Sequence, residues 1–155
     1  MATITSANST QYEALFVAEP ASRQDAGLIG GVVRRSYAEY TVASADEIAS
    51  DGVITMMKLP KGARIVGAKA VMPASGATGQ FNIGWPVNGD LAADPDALFA
   101  GLDPGGGAVD SSLASTSAAW NKKLEAEATV QLVCLEITAD SGGDSLELEV
   151  SYVID

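Results

Sequence analysis

Residues 58–85 read KLPKGARIVGAKAVMPASGATGQFNIGW, and the alternation of turn signals with β-rich runs inside them decides the fold class. Pro60-Lys61-Gly62 is a turn, because proline presets one backbone angle and glycine reaches conformations other residues avoid. A strand-like run follows from Arg64 to Met72, and Pro73 breaks it. A loop of small residues (Ala74 to Gly79) leads to a second run, Gln80 to Trp85. Short runs rich in Val, Ile, Phe and Trp between such breaks predict a β-hairpin.

The end of the chain carries the same signal more cleanly. Ala128–Thr138 is one β-rich run, and Ser145–Ile154 alternates, with Leu146, Leu148, Val150, Tyr152 and Ile154 on one side and Glu147, Glu149 and Ser151 on the other. A period of two over ten residues marks a half-buried strand. The intervening turn at Ser141–Asp144 predicts a second hairpin. Ahead of the central stretch, Tyr40–Ala43 is a short β-rich run, followed by an acidic turn at Asp46, Glu47, Asp51 and Gly52. Val53 to Leu59 is apolar on both faces, which predicts a strand packed on both sides or turned toward a neighbouring subunit. Asp94–Gly101 predicts one short helix, with Asp94 as cap, Pro95 at the first helical position and Gly101 as terminator. Pro104–Thr116, rich in Gly and Ser, predicts a surface loop. Six or more strands with one small helix give an all-β fold, a β-sandwich or jelly roll over residues 38–155.

Residues 1–37 differ. They hold two apolar clusters, Leu15-Phe16-Val17 and Leu28-Ile29 with Val32-Val33, separated by polar and glycine-rich sequence. The pattern predicts an extended N-terminal arm with two anchor points, with a strand pair tucked onto the domain as the alternative. Fully stretched, about 35 residues span on the order of 100 Å.

Composition narrows the function. The formal charge is −11, from 20 acidic and 9 basic residues. That argues against a nucleic acid partner, which calls for clustered Lys and Arg, and fits solubility at high concentration. No apolar run approaches the roughly 20 residues of a membrane-spanning helix, so no membrane partner is expected. The first residues lack a basic start and apolar core, so the expectation is a protein made in a cytoplasm. Histidine is absent, which removes the usual general base and the commonest zinc ligand. Cys134, the single cysteine, sits in an apolar strand pattern without basic neighbours and reads as a structural thiol. Asp90, Asp94, Asp96, Asp103 and Asp110 do not match a calcium-loop spacing, and Gly105-Gly106-Gly107 lacks the lysine of a phosphate loop. No catalytic residue, metal or cofactor is expected. Trp85 and Trp120 are either core residues or the platform of a carbohydrate-binding module.

The order LPKGARIVGAKAVM, a glycine-laced turn, QFNIGWPVNGDLAADPDALFAGLD, and a closing SLELEVSYV resembles a family of small tailed-phage virion proteins. The resemblance covers Leu59–Val153. It implies a capsid decoration or cement protein: a β-sandwich, commonly trimeric, on the outer head surface at three-fold and quasi-three-fold positions. The expected partners are then a major capsid protein and further copies of the chain. Leu15, Phe16, Val17, Leu28, Ile29, Val32 and Val33 become candidate anchors, and Arg34 and Arg35 candidate partners for acidic capsid groups. Val53, Ile54, Met56 and Met57 become the candidate subunit interface. The rival expectation is an adhesion or carbohydrate-binding module of a phage tail or secreted enzyme.

Overall fold

Alternating burial along β-branched and aliphatic runs drives the described residues into nine strands in two sheets. The computed structural model describes residues 2–8, 33–42, 46–72, 80–104, 107–134 and 145–154. The strands are β1 (Ala2–Asn8), β2 (Arg34–Thr41), β3 (Asp46–Leu59), β4 (Ala63–Met72), β5 (Phe81–Trp85), β6 (Asp94–Leu102), β7 (Val109–Ser112), β8 (Ala128–Cys134) and β9 (Ser145–Ile154). One sheet runs β1-β3-β8-β5-β6 and the other β2-β9-β4-β7. The orders β3-β8-β5-β6 and β2-β9-β4-β7 are those of a jelly roll, two interlocked Greek keys. β1 adds a parallel strand beside β3.

Both expected hairpins are replaced by crossings between sheets. β4 pairs with β9 and β7, whereas β5 pairs with β6 and β8. β8 pairs with β3 and β5, whereas β9 pairs with β2 and β4. The connections are longer than the two-residue links of tight hairpins, and a sandwich needs chain enough to cross about 10 Å between sheets. The crossings send the connections alternately to opposite ends. One end collects the β3–β4, β5–β6 and β7–β8 connections, with the start of β2 and the finish of β9. The β2–β3, β4–β5, β6–β7 and β8–β9 connections collect at the other.

The expected helix is a strand. Trp85 faces Asp94, Ile83 faces Phe99 and Phe81 faces Leu102, so two residues of β5 span five of β6 in the first step. The surplus bulges inward and buries Ala97, Leu98 and Phe99 in succession. Three neighbouring apolar residues behind a capping aspartate imitate a helix, but packing against β5 and a hydrogen bond from Ser117 Oγ to the Ala97 carbonyl (2.6 Å) hold the segment extended. Gly101 takes φ 61° and donates its N–H to Asn82 Oδ1 at 2.8 Å. The left-handed glycine expected to stop a helix therefore bends a strand. Among the described residues there is no α-helix. Val109–Ser112, expected as loop, pairs with β4. Leu113 N–H then bonds to Ala68 O, Asn121 N–H to Ile65 O and Leu124 N–H to Ala63 O, so the β7–β8 connection continues along the outer edge of β4. An edge covered this way is not left to pair with another chain.

The core lies between the sheets, with Trp85, Ile54, Met56, Leu59, Ile65, Met72, Ile83 and Leu148 almost fully buried. Each such side chain contributes about 2 kcal/mol of apolar burial. Gly84 lies where β6 crosses closest: a Cβ there would stand 2.0 Å from the Asp94 carbonyl oxygen. At Gly67 a Cβ would meet only Ser151 Cβ, at 3.8 Å. Gly84→Ala should therefore cost about 2–3 kcal/mol through overpacking, while Gly67→Ala should stay within about 0.5 kcal/mol of wild type, both read from urea unfolding midpoints.

Candidate interaction surfaces

The residues expected to form a subunit interface are largely interior. Ile54 is 0% exposed, Met56 1% and Met57 4%, all covered by the chain itself. A bulge causes the misleading two-sided pattern. Leu59 faces Ala128, Met57 faces Val130 and Ile54 faces Leu132, and the register slips between Thr55 and Met57. Opposed residues in an antiparallel pair share a face, so Ile54, Met57 and Leu59 all point inward although their numbering changes parity. Val53, partly exposed, lies on the opposite face with Thr55 and Lys58. Ile54, Met56 and Met57 offer no surface to a second copy.

Of the expected anchors, Leu15, Phe16, Val17, Leu28, Ile29 and Val32 lie outside the described residues. Val33 is 53% exposed, immediately before β2. Arg34 opens β2 opposite Tyr152. Arg35 Nε lies 3.4 Å from Glu149 Oε1. The expected boundary at residue 37 falls inside β2, which is paired with β9 along its whole length. With β1 held in the other sheet, the chain on both sides of residues 9–32 is tied into the sandwich.

The five aspartates are not gathered. Asp94 bonds to Lys122 (3.6 Å) near one end of the sandwich, and Asp110 to Lys69 (3.0 Å) on the outer face of the other sheet. Among the described residues no group of three or more acidic, cysteine or histidine side chains is placed to hold a metal ion. The tryptophans separate too. Trp85 is 1% exposed, its Nε1 has no hydrogen-bond partner among the described residues, and Lys122 Nζ sits 5.3 Å from its ring centroid. Only Trp120, 42% exposed, faces solvent. The two tryptophans therefore form no paired platform for a sugar. The side chain of Cys134 lies outside the described residues.

What the structure does assemble is the outer face of the β2-β9-β4-β7 sheet. Strand register places its side chains in rungs. Thr41 stands beside Ser145; then Glu39, Glu147, Val71 and Asp110; then Tyr37, Glu149, Lys69 and Ser112; then Arg35, Ser151 and Gly67. Continuing the register one step, Val33 adjoins Val153, which faces Arg64, and Arg64 bridges to Lys123. The face is graded, acidic toward one end and basic toward the other. In the acidic half Glu39 stands directly opposite Glu147, an unfavourable like-charge pair. Ser145 Oγ donates to Glu39 Oε1 at 2.5 Å and the Tyr37 hydroxyl to Glu39 Oε2 at 3.4 Å. Tyr37, Lys69, Val71, Glu147 and Glu149 line a shallow depression there.

The gradient on this face follows one in the whole molecule. Arg34 and Arg35 open β2, Lys58 and Lys61 flank the β3–β4 turn, Arg64 begins β4, and Lys122 and Lys123 lie alongside it. Seven of the nine basic residues of the sequence thus gather toward the turn end. The acids at that end, among them Asp90, Asp94, Glu125 and Glu127, adjoin strands of the other sheet. Sequence analysis found Arg34 and Arg35 but missed Arg64, Lys61 and Lys123, because only strand register brings them together.

No protein-family model matches the chain, and no curated protein matches it. The fold recurs in chains of phage capsids. A chain from the capsid of Ralstonia phage GP4 superposes with a TM-score of 0.69, at 21% identity, over 99% of both chains. One from the cyanophage Pam1 capsid asymmetric unit gives 0.60, at 18% identity, over 88% of this chain and 99% of that one. One from the acidic stable capsid structure of Helicobacter pylori bacteriophage KHP30 gives 0.52, at 14% identity, over 80% and 89%.

Tyr37 supplies a probe of the graded face. Partial burial raises its pKa above the usual phenol value, and the charges of Glu147 and Glu39 raise it further. A group whose folded-state pKa exceeds the unfolded one has its stabilising effect in full below the unfolded value and loses it as pH climbs through the folded value. Wild type should therefore lose stability above about pH 10 more steeply than Tyr37→Phe. Ultraviolet titration should show Glu147→Gln moving downward the phenolate transition that is lost in Tyr37→Phe.

Proposed function

We propose that this protein is a structural component of a phage virion, a decoration or cement protein that sits on the outside of the head. The observation that carries the proposal is the superposition on a chain of the Ralstonia phage GP4 capsid over 99% of both chains. The likeness extends over nearly all of both chains and is not confined to a few strands. The physical character of the molecule supports the same role. Its described residues form a two-sheet β body with a graded polar face.

Its partners on this proposal are the major capsid protein and other copies of itself, in trimers at three-fold and quasi-three-fold positions. The buried Ile54, Met56 and Met57 take no part in the trimer contact, which must use the outer faces or edges of the sandwich. Residues 9–32, with Leu15, Phe16, Val17, Leu28, Ile29 and Val32, remain the proposed attachment to the shell, assisted by Val33, Arg34 and Arg35. Because the chain is tied at both ends, half of that length going out and half returning, their reach is about 40 Å from the body. That suffices for an adjoining subunit and falls well short of the span of a free arm. Many such contacts repeated by symmetry lock a shell, since each attachment raises the effective concentration of the next.

The test uses heads assembled without this protein. Purified wild type should add density to their exterior in reconstructed particle images and raise the temperature at which they release DNA. Replacing residues 9–32 by a short Gly-Ser linker should leave the melting transition of the free protein within a few degrees and lower head occupancy at least about tenfold. Heads that stay bare with wild type would defeat the proposal.

A further inference from the structure

We infer that the basic half of the outer β2-β9-β4-β7 face is the surface that docks on the head, and that it takes an acidic patch of the shell. The inference rests on the decoration role proposed above and identifies which face performs it. Three observations converge. First, the two rungs nearest the turn end contain Arg35, Arg64 and Lys123 and no acid. Arg64 and Lys123 pair through an isolated backbone bridge, which sets the two cations on neighbouring strands, and Arg64 Nη1–H donates to the Asn121 carbonyl at 3.1 Å. A chain with 20 acids and 9 bases has many ways to neutralise a cation, yet Lys61 and Lys123 have no ion pair among the described residues. An arriving carboxylate would supply these two lysines with a counter-charge.

Second, the surface is shaped for close approach. Ser151 and Gly67 lie side by side between the cations, a low centre with no bulky side chain. Val33, half-exposed, and Val153 add apolar area beside it. A basic rim around a flat apolar and small-residue centre is the arrangement of a protein-binding patch. Third, the patch is continuous with the start of β2, where the chain returns from residues 9–32. Tether and body surface therefore meet the same partner from one side. A second copy is the weaker candidate, because the net charge of −11 on each molecule opposes self-association in solution.

The experiment compares wild type with Arg35→Glu/Lys123→Glu and with Glu39→Lys/Glu147→Lys on heads lacking the protein. Occupancy is measured by co-sedimentation across a salt series, self-association by sedimentation velocity, and folding by thermal melting. Arg35 and Lys123 are exposed, so the basic-rung variant should melt close to wild type. Glu39 and Glu147 are half-exposed and Glu39 accepts from Ser145 and Tyr37, so the acidic-rung variant is compared only where its melting shows it folded. The basic-rung variant should lose occupancy by at least about tenfold, and wild-type binding should weaken as salt rises. The acidic-rung variant should bind as well as wild type. Equal binding by wild type and a folded basic-rung variant overturns this inference alone. So does restored association on mixing the two variants without heads, which would make a second copy the occupant. Heads left bare by wild type overturn the decoration role and this inference together.

Discussion

Each sheet has one face to bury, and each of the long strands β3, β4 and β6 keeps to that face only by slipping phase. β3 slips between Thr55 and Met57, so Ile54 and Met57 both reach the core. β4 slips between Ile65 and Gly67, which carries burial from Ala63 and Ile65 to Ala68, Ala70 and Met72. β6 slips furthest and buries three consecutive side chains. A bulge bends and twists its strand, and two sheets must curve to close around a common core. The same irregularities give continuous burial and the curvature that closes the sandwich. Gly84 is the extreme case, where two backbones approach so closely that even a methyl group has no room.

These slips also explain what could be read from the sequence. Strands without them were legible: the alternation of β9 from Leu146 to Tyr152 appears in the structure residue for residue. Strands with them were misread in a consistent way. Val53–Leu59 resembled a strand apolar on two sides, which suggested a subunit contact that burial removes. Asp94–Gly101 resembled a capped helix, because an inward bulge groups its apolar residues as a helix would. β7 escaped notice because Val-Asp-Ser-Ser has little β propensity and is held by pairing with Lys69–Met72. Pairing itself left no mark, since alternation specifies which side a residue faces and not which strand lies beside it. The all-β class was therefore legible and both expected hairpins were not.

The candidate surface was legible in one corner. Arg34 and Arg35 stand out as adjacent cations after an apolar run, whereas Arg64 and Lys123 lie 59 positions apart and meet only through an isolated bridge. A net charge summed over the chain conceals the gradient, because the 20 acids of the whole sequence outnumber the cations grouped at one end. The jelly-roll path produces that separation. Each crossing reverses the chain, so residues close to a given end recur at intervals set by strand length, and charge chosen at those intervals accumulates at one pole.

Separated charge lets one molecule satisfy two opposed demands. In the proposed role, copies must remain apart at the high concentration of assembly, and each must still adhere to a shell. β9 spans about 33 Å over its length, against a screening distance of about 8 Å at physiological ionic strength. Glu39 and Glu147 stand six residues along β9 from Val153, about 20 Å and more than two screening lengths from the Arg64–Lys123 rung, and so weaken its attraction for a carboxylate within contact range only slightly. The same acids project toward neighbouring molecules in solution, where they repel. Uniformly distributed charge at the same total could do only one of these, since every approaching surface would meet the same average. The strand length of the sandwich thus has an electrostatic role beside its structural one: it keeps the Glu39–Glu147 rung out of the field of the Arg64–Lys123 rung, with the Arg35–Glu149 pair marking where the two halves meet.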